Sequence, residues 1–92
     1  MELVREGRAI IIDVREPEEF KAERIPGATL IPLSRFRAED VPEAENIILQ
    51  CRSGKRSLDA AHRMAAQGRT GLYNLKGGII AWREAGLPVE QG

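Results

Sequence analysis

Residues 47–57 read Ile-Ile-Leu-Gln-Cys-Arg-Ser-Gly-Lys-Arg-Ser, an apolar run that changes abruptly into a short polar loop. The apolar run predicts a strand buried on both faces, and the pattern after the loop predicts a helix from Ser57 to Gln67. A buried strand that turns directly into a helix is typical of α/β folds with a parallel sheet. Binding sites in open sheets of that type lie outside the carboxyl ends of the strands, so we expect the functional site at this loop.

Cys51 is the only cysteine of the chain and stands at the start of this loop. A lone cysteine after an apolar strand is usually a small buried hydrophobic residue, which is the first alternative to consider. Here three cations follow Cys51 within five residues. Because cations and the N–H groups of a helix N-terminus lower a thiol pKa from about 8.5 toward about 3.5–7.5, the loop favours a reactive thiolate in an electropositive, partly exposed site.

The rest of the loop favours an anionic substrate beside the sulfur. Its residues supply positive charge, backbone freedom and hydroxyl groups, which together suit an anion. The predicted active-site loop residues are Arg52, Ser53, Gly54, Lys55, Arg56 and Ser57. We expect the hydroxyl groups of Ser53 and Ser57 to hold the loop in place, and Ser57 is also a candidate cap for the helix. For Arg52 a solvated surface charge is an equally good interpretation.

The composition narrows the classes of function. The chain has 92 residues, of which 42% are hydrophobic and 30% charged, and this predicts one globular domain, residues 1–92. Fourteen basic and fourteen acidic residues leave no net charge, so neither nucleic acid nor a membrane surface is an expected partner. No apolar run approaches the roughly 18 residues of a membrane span. A single cysteine cannot form an internal disulfide and a free thiol favours a reducing compartment, so we expect a cytoplasmic protein, and a monomer.

His62 is the only histidine and invites comparison with a Cys–His catalytic pair. It lies five residues beyond Ser57, about 7.5 Å along a helix that leads away from the loop, so we expect a partly exposed helix residue instead. One histidine and one cysteine also cannot form the usual tetrahedral metal set, and we predict neither a metal nor another cofactor.

Strands and helices alternate along the chain. The predicted strands are residues 9–14, 29–31, 46–50 and 72–75, and the predicted helices begin near Pro17, Ser34, Ser57 and Ile79. Residues 1–7 are interpreted as the end of a helix closed by Gly7. The helix after the loop is expected to turn one apolar face inward, formed by Leu58, Ala61, Met64 and Ala65. This alternation predicts an α/β fold with a mostly parallel sheet.

Four stretches of the sequence together carry a resemblance to a known family. They are Asp13-Val14-Arg15-Glu16 with Glu19-Phe20, Ile25-Pro26-Gly27-Ala28, residues 51–57, and Gly77-Gly78 with Trp82, Gly86 and Pro88. In this combination and order the chain resembles the rhodanese family of sulfurtransferases, in its single-domain form. The resemblance implies a three-layer α/β/α fold with a central, mostly parallel sheet of four to five strands.

The resemblance also implies a reaction. A sulfane sulfur would move from thiosulfate or a similar small anionic donor to a thiophilic acceptor such as cyanide, a thiol or an acceptor protein. The catalytic residue would be Cys51, carrying the sulfur as a persulfide, with Lys55 and Arg56 binding the donor's sulfonate. Asp13 and Arg15 are interpreted as a structural ion pair that supports neighbouring loops.

The chain departs from the family pattern in two places. Arg24 stands where relatives often have His, and we expect little effect on the chemistry because that motif is interpreted as structural. The short strand and full helix that usually precede the first long strand are mostly missing. The sheet is therefore expected to lack an edge strand, unless the chain is one domain of a longer protein.

Three other functions stay open beside this one. Phosphatases and arsenate reductases on a related fold resemble this chain in having a loop that runs from Cys to Arg. Their loop has five residues between Cys and Arg, whereas four residues separate Cys51 from Arg56. The shorter loop favours a narrower ring of N–H groups, suited to a sulfur atom more than to a phosphoryl group. A non-catalytic module of the same family would commonly lack the loop cysteine. A persulfide relay, with a protein or a cofactor pathway as acceptor, has the same sequence features as a thiosulfate-consuming enzyme.

Overall fold

A computed structural model describes residues 8–92, so the helix end predicted at Gly7 lies outside the described residues. The strands of this part are β1 (Ala9–Asp13), β2 (Glu23–Arg24), β3 (Thr29–Leu30), β4 (Asn46–Gln50), β5 (Leu72–Asn74) and β6 (Glu90–Gln91). The α-helices are α1 (Pro17–Ala22), α2 (Lys55–Ala66) and α3 (Gly78–Glu84), and two short 3₁₀ helices span Leu33–Arg35 and Ala38–Asp40.

The central sheet has four strands in the order β3-β1-β4-β5, and every neighbouring pair is parallel. In the longest pairing, β1 and β4 run side by side from Ala9 opposite Asn46 to Asp13 opposite Gln50. A separate antiparallel ribbon joins β2 to β6. The predicted α/β class and the parallel four-stranded sheet are therefore confirmed.

The two faces of the sheet carry separate cores because successive side chains of a strand point to opposite faces. One core contains Ile12 of β1 and Leu49 of β4 together with Met64 of α2. The other contains Ile48 of β4 together with Trp82 of α3. Helices thus cover both faces, which gives the three predicted layers, and this is why the apolar runs of β1 and β4 do not alternate with polar residues.

The inward face of α2 agrees with the predicted one at Ala61 and Met64 and differs from it at Leu58 and Ala65. Its buried residues are Ser57, Ala60 and Met64, whereas Leu58 is 45% exposed and Ala65 is also exposed. The hydrogen bonds of Ser57 at the start of the helix turn that side toward the sheet, and Ala60 and Met64 follow it at helical spacing. Apolar periodicity alone missed this, because a polar residue sets the rotation of the helix.

The segment after β3 also differs from the prediction. The helix predicted to begin near Ser34 is absent, because the chain forms two separate 3₁₀ turns there, and Pro32 occupies the cap position of the first. The hydroxyl group of Ser34 donates to the carboxylate of Glu16 at 3.0 Å. Phe36 and Ala38 are buried in the same core as Met64, so this segment follows the core surface.

Arg24 lies in the corner between α1 and the β2–β6 ribbon. Its guanidinium lies 5.4 Å from the centre of the Phe20 ring and 3.4 Å from the carboxylate of Glu90 in β6. Arg24 also donates to the carbonyl oxygen of Phe20 at 3.3 Å. These contacts connect α1 to β6, so the partners of Arg24 are structural elements of the fold.

The first residue of α3 lies against the loop that follows β4. Gly78 has φ +60, and a Cβ atom there would lie 2.3 Å from the carbonyl oxygen of Cys51 and 2.4 Å from that of Arg52. Only glycine permits both this backbone conformation and this approach. The Gly77-Gly78 pair, predicted as a tight bend, therefore also lets α3 dock on the loop.

We expect Gly78→Ala to destabilise the domain by about 3–5 kcal/mol, since the left-handed backbone and the overlap with two carbonyl groups both disfavour a side chain. The matched control is Gly86→Ala, whose φ is +78 and whose added Cβ would meet nothing within 4 Å. The control should lose only about 1–2 kcal/mol. Urea unfolding of both variants measures the difference, and equal losses would contradict the close docking of α3.

Candidate active site

Cys51 follows the last residue of β4 directly, and α2 begins only four residues later at Lys55. Gly54 caps that helix with φ 104, a left-handed conformation that closes the loop back toward the strand. The Cys51 Sγ atom accepts hydrogen bonds from the Gly54 N–H at 3.0 Å and from the Ser57 N–H at 3.4 Å. The Ser57 hydroxyl group donates to the same atom at 3.4 Å. The loop therefore surrounds one sulfur atom with donors.

Ser57 does not cap α2 as predicted. It lies inside the first turn of the helix, and its hydroxyl group lies between two acceptors, Cys51 Sγ and, by a short contact, Asn74 Oδ1, which share its single proton. The cap position belongs to Gly54, because the helix begins two residues before Ser57. The side chain of Ser57 thus serves the sulfur and the loop instead of the helix end.

Cys51 is only 1% exposed, so the expectation of a partly exposed thiol is wrong for this conformation. The reason is the tightness of the loop: Gly54 and Ser57, the residues that donate to Sγ, are themselves buried. Cys51 also belongs to the core cluster under α2.

Two opposing effects act on the pKa of the Cys51 thiol. Burial raises the pKa, because it disfavours the charged form, and it is the largest single effect. Hydrogen bonds from the Ser57 hydroxyl group and from the N–H groups of Ser57, Gly54 and Ser53 act in the other direction. Together they outweigh burial, so the pKa of Cys51 is lowered from its ordinary value. The loop stabilises a thiolate without exposing it.

Asn74 is a site residue that is absent from the sequence predictions. It ends β5, and its Nδ2 donates to the carbonyl oxygen of Gly54 at 3.3 Å while its Oδ1 accepts from the Ser57 hydroxyl group. Because β5 runs parallel to β4, with Asn74 opposite Leu49, both strands deliver their last residues to the same edge of the sheet. A polar residue at the end of the neighbouring strand is the signal that could have indicated Asn74.

The N-terminus of α3 holds the loop from the other side. The Ile79 N–H donates to the Cys51 carbonyl oxygen at 2.9 Å, and the Ile80 N–H donates to the Arg52 carbonyl oxygen at 3.3 Å. The Gln50 side chain donates to the Cys51 carbonyl oxygen as well, at 2.9 Å. These contacts direct the carbonyl groups away from the sulfur, so that N–H groups face Sγ.

The cations of the loop are not equivalent. Arg56 donates two parallel hydrogen bonds to the carboxylate of Glu19, at 2.7 Å and 2.9 Å, whereas Arg52 and Lys55 are exposed. The Arg56 side chain lowers the pKa of Glu19 to about 2, and Glu19 in turn raises the pKa of Arg56. A carboxylate from α1 thus already takes one pair of Arg56 donors, and the binding of a substrate anion by Arg56 stays a prediction.

Asp13 and Arg15 form a buried ion pair beside the site, with Nη2 of Arg15 2.8 Å from Oδ2 of Asp13. The Arg15 backbone N–H also donates to Asp13, and Nη2 donates to the carbonyl oxygen of Glu23 at 2.6 Å. The pair connects the end of β1 to the start of β2. The contacts of the pair are with backbone groups at or near the ends of these two strands, and its supporting role stays a prediction.

The remaining candidate groups lie away from the sulfur or do not form sites. His62 is exposed on α2. Within residues 8–92, no cluster of His, Cys, Asp and Glu side chains could hold a metal ion. None of the helices formed by these residues has the length and hydrophobicity that a membrane-spanning helix needs.

The fold is a parallel α/β domain, and its site is a cysteine enclosed by loop N–H groups at the carboxyl edge of the sheet. This combination of fold and site characterises one class of protein. The family described as rhodanese-like domain matches residues 1–85. The chain belongs to this rhodanese-like family.

Individual relatives agree with that assignment. A protein named sulfurtransferase from Allochromatium vinosum is 38% identical over 82 residues, which are 87% of this chain and 77% of that protein. An uncharacterized protein of Synechocystis is 40% identical over 90 residues, covering 96% of this chain but 50% of the relative. A crystal structure of a rhodanese-related protein from Thermoplasma volcanium superposes with a TM-score of 0.84 at 28% identity, covering 97% of this chain and 88% of that one.

We expect Asp13→Asn to destabilise the domain by about 3–5 kcal/mol, because it leaves the buried guanidinium of Arg15 without its charge partner. The matched control is Asp59→Asn, which removes the partner of Arg63 in an exposed pair on α2 and should cost no more than about 0.5 kcal/mol. Denaturant unfolding of both variants measures the two losses. Similar small losses would show that the Asp13 pair contributes little.

We expect Ser57→Ala to raise the pKa of Cys51 toward its ordinary value, because the hydroxyl group is the largest of the effects that lower it. The measurement is the pH dependence of the rate at which iodoacetamide alkylates Cys51. The control is Ser53→Ala, which removes an exposed hydroxyl group but keeps the backbone N–H, and should leave the pKa unchanged. An unaltered profile in Ser57→Ala would mean that its hydroxyl group does not stabilise the thiolate.

Proposed function

We propose that this protein is a sulfurtransferase that carries a sulfane sulfur on Cys51, taking it from thiosulfate or a similar donor and passing it to a thiophilic acceptor. The observation that carries the proposal is the set of donors on Cys51 Sγ, which lowers the pKa of a buried thiol. Membership of the rhodanese-like family and the relative named sulfurtransferase support it.

The first half of the reaction loads the cysteine. The Cys51 thiolate attacks the outer sulfur of the donor, a new S–S bond forms, and the bond from that sulfur to the rest of the donor breaks. The leaving group departs with the electron pair of that bond, as sulfite when the donor is thiosulfate. The covalent intermediate divides one difficult transfer into two easier ones.

The second half of the reaction transfers the sulfur from Cys51 to the acceptor. The acceptor, which is cyanide, a thiol or an acceptor protein, attacks the terminal sulfur of the persulfide, and the Cys51 thiolate leaves. Thiolate and persulfide are both anions, so the N–H groups of Gly54 and Ser57 stabilise the resting and the loaded form alike. Each hydrogen bond to a charged group contributes about 1.5–3 kcal/mol, and no group of the loop has to gain or lose a proton between the two halves.

The loop length favours this chemistry over phosphoryl transfer. Four residues separate Cys51 from Arg56, and the first N–H donor to Sγ, that of Gly54, lies only 3.0 Å away. A ring closed this tightly on one sulfur atom suits a persulfide better than the wider oxygen tetrahedron of a phosphoryl group.

Cys51 and its donors also argue against a module that only binds a partner. A protein acceptor in the cytoplasm, as in a persulfide relay, uses the same steps.

Intact-mass measurement tests the proposal directly. We expect the protein to gain one sulfur atom after incubation with thiosulfate or cysteine persulfide, and to lose it again, with release of thiocyanate, when cyanide is added. Cys51→Ser removes the nucleophile and should show neither change.

The matched control is Leu58→Ala, which changes an exposed residue of α2 and should load as the wild type does. A wild-type protein that takes sulfur from neither donor but releases phosphate from an aryl phosphate would overturn the assignment in favour of a phosphatase. Loading that persists in Cys51→Ser would remove Cys51 from the mechanism.

A further inference from the structure

The carboxylate of Glu19 forms an ion pair with the guanidinium of Arg56, the residue before Ser57. Arg56 precedes Ser57, whose N–H and hydroxyl groups both donate to Cys51 Sγ. Both Arg56–Glu19 hydrogen bonds are short and well formed, and the two side chains are about one third exposed, at 35% and 31%. The pair is therefore a surface feature of the site that a substrate can reach.

Glu19 also faces open space on its other side. A cavity of about 210 Å³ beside the loop is lined by Glu19 together with Arg52 and Ile80, among others. The carbonyl group of Arg52 is bound by the N–H of Ile80, so this cavity touches the loop that carries the sulfur. The lining also contains Arg15, Arg52 and Arg83, so a molecule that approaches the loop from the cavity meets the carboxylate of Glu19 among guanidinium groups.

The ion pair changes what the site offers to an anion. A free arginine presents a fork of N–H donors that binds an oxyanion at two points. In Arg56 one such fork is already filled by Glu19, and the positive charge is balanced by the negative one. The positive charge that Arg56 would offer to an incoming dianion is thus largely cancelled, and the like charge of Glu19 opposes its approach.

We propose that Glu19 is a specificity-determining residue that acts through Arg56: by occupying the guanidinium, it disfavours small dianionic sulfur donors such as thiosulfate relative to donors with a single negative charge, such as an organic persulfide. The inference deepens the proposed function and rests on it for the identity of the reaction. Transfer from an organic persulfide is balanced in the same way, since the outer sulfur moves to Cys51 and an organic thiolate leaves with the electron pair.

Glu19→Gln is a suitable variant because it removes the charge and keeps the shape. Glu19 Oε1 accepts from the backbone N–H of Glu16 in a capping box, and a glutamine at that position can make the same bond. Glu19→Asp keeps the charge as the conservative variant. Glu18→Gln is the matched control, since it removes an exposed carboxylate from the adjacent position of α1.

The first measurement does not depend on sulfur chemistry. Iodoacetate and iodoacetamide alkylate the same thiol but differ in charge, so the ratio of their rates reports the field at Cys51. We expect Glu19→Gln to raise the ratio of iodoacetate to iodoacetamide rates about three- to tenfold. Glu18→Gln and Glu19→Asp should stay close to the wild type. A variant that only loosened the loop would accelerate both reagents equally, and that result would overturn the proposal.

The second measurement uses the proposed reaction. We expect Glu19→Gln to raise kcat/KM for thiosulfate about three- to tenfold, mainly through a lower KM, while kcat/KM for cysteine persulfide, which has a single net negative charge, changes little. Equal changes for both donors, or a loss with thiosulfate, would overturn the inference and leave the proposed function standing. A shifted alkylation ratio in a protein that takes sulfur from neither donor would instead support the charge effect and refute the proposed function.

Discussion

Cys51 is almost fully buried, and its sulfur atom accepts hydrogen bonds from Gly54 and Ser57. Burial alone would keep the thiol neutral, because a charge loses its hydration when it is enclosed. The donors replace the lost water with fixed dipoles, and the net result is a lowered thiol pKa. The other contacts of the site hold these donors in position, because the donors stabilise the charge only while they point at the sulfur atom.

Two elements, β5 and α3, hold that loop in place. The last residue of β5 binds the loop through Asn74, and the N-terminus of α3 binds it through Ile79 and Ile80. Gly78 permits the docking of α3 because a side chain there would overlap the loop backbone. The parallel sheet makes this convergence possible, because parallel strands end at one common edge.

Two of the arginines around the loop are paired with carboxylates, which their number alone does not show. Arg15 is neutralised by Asp13 in the interior, and Arg56 by Glu19 at the surface. Arg52 and Lys55 are the exposed cations of the loop. Stabilisation of the thiolate therefore depends on neutral donors in the loop more than on full positive charges, while Glu19 offsets the charge of Arg56 beside the two exposed cations.

The sequence by itself determined the α/β class, the parallel strands and the position of the cysteine loop, because apolar runs, glycines and the order of motifs are local signals that the folded chain keeps. It did not reveal that Asn74 holds the loop, that Ser57 sets the rotation of α2, or that Glu19 occupies Arg56. Each of these is a contact between elements distant in the chain, with 17 positions between Ser57 and Asn74 and 37 between Glu19 and Arg56. Only the tertiary structure decides such pairings, because a side chain's partner depends on which strand ends and helix turns are brought to the same edge of the sheet.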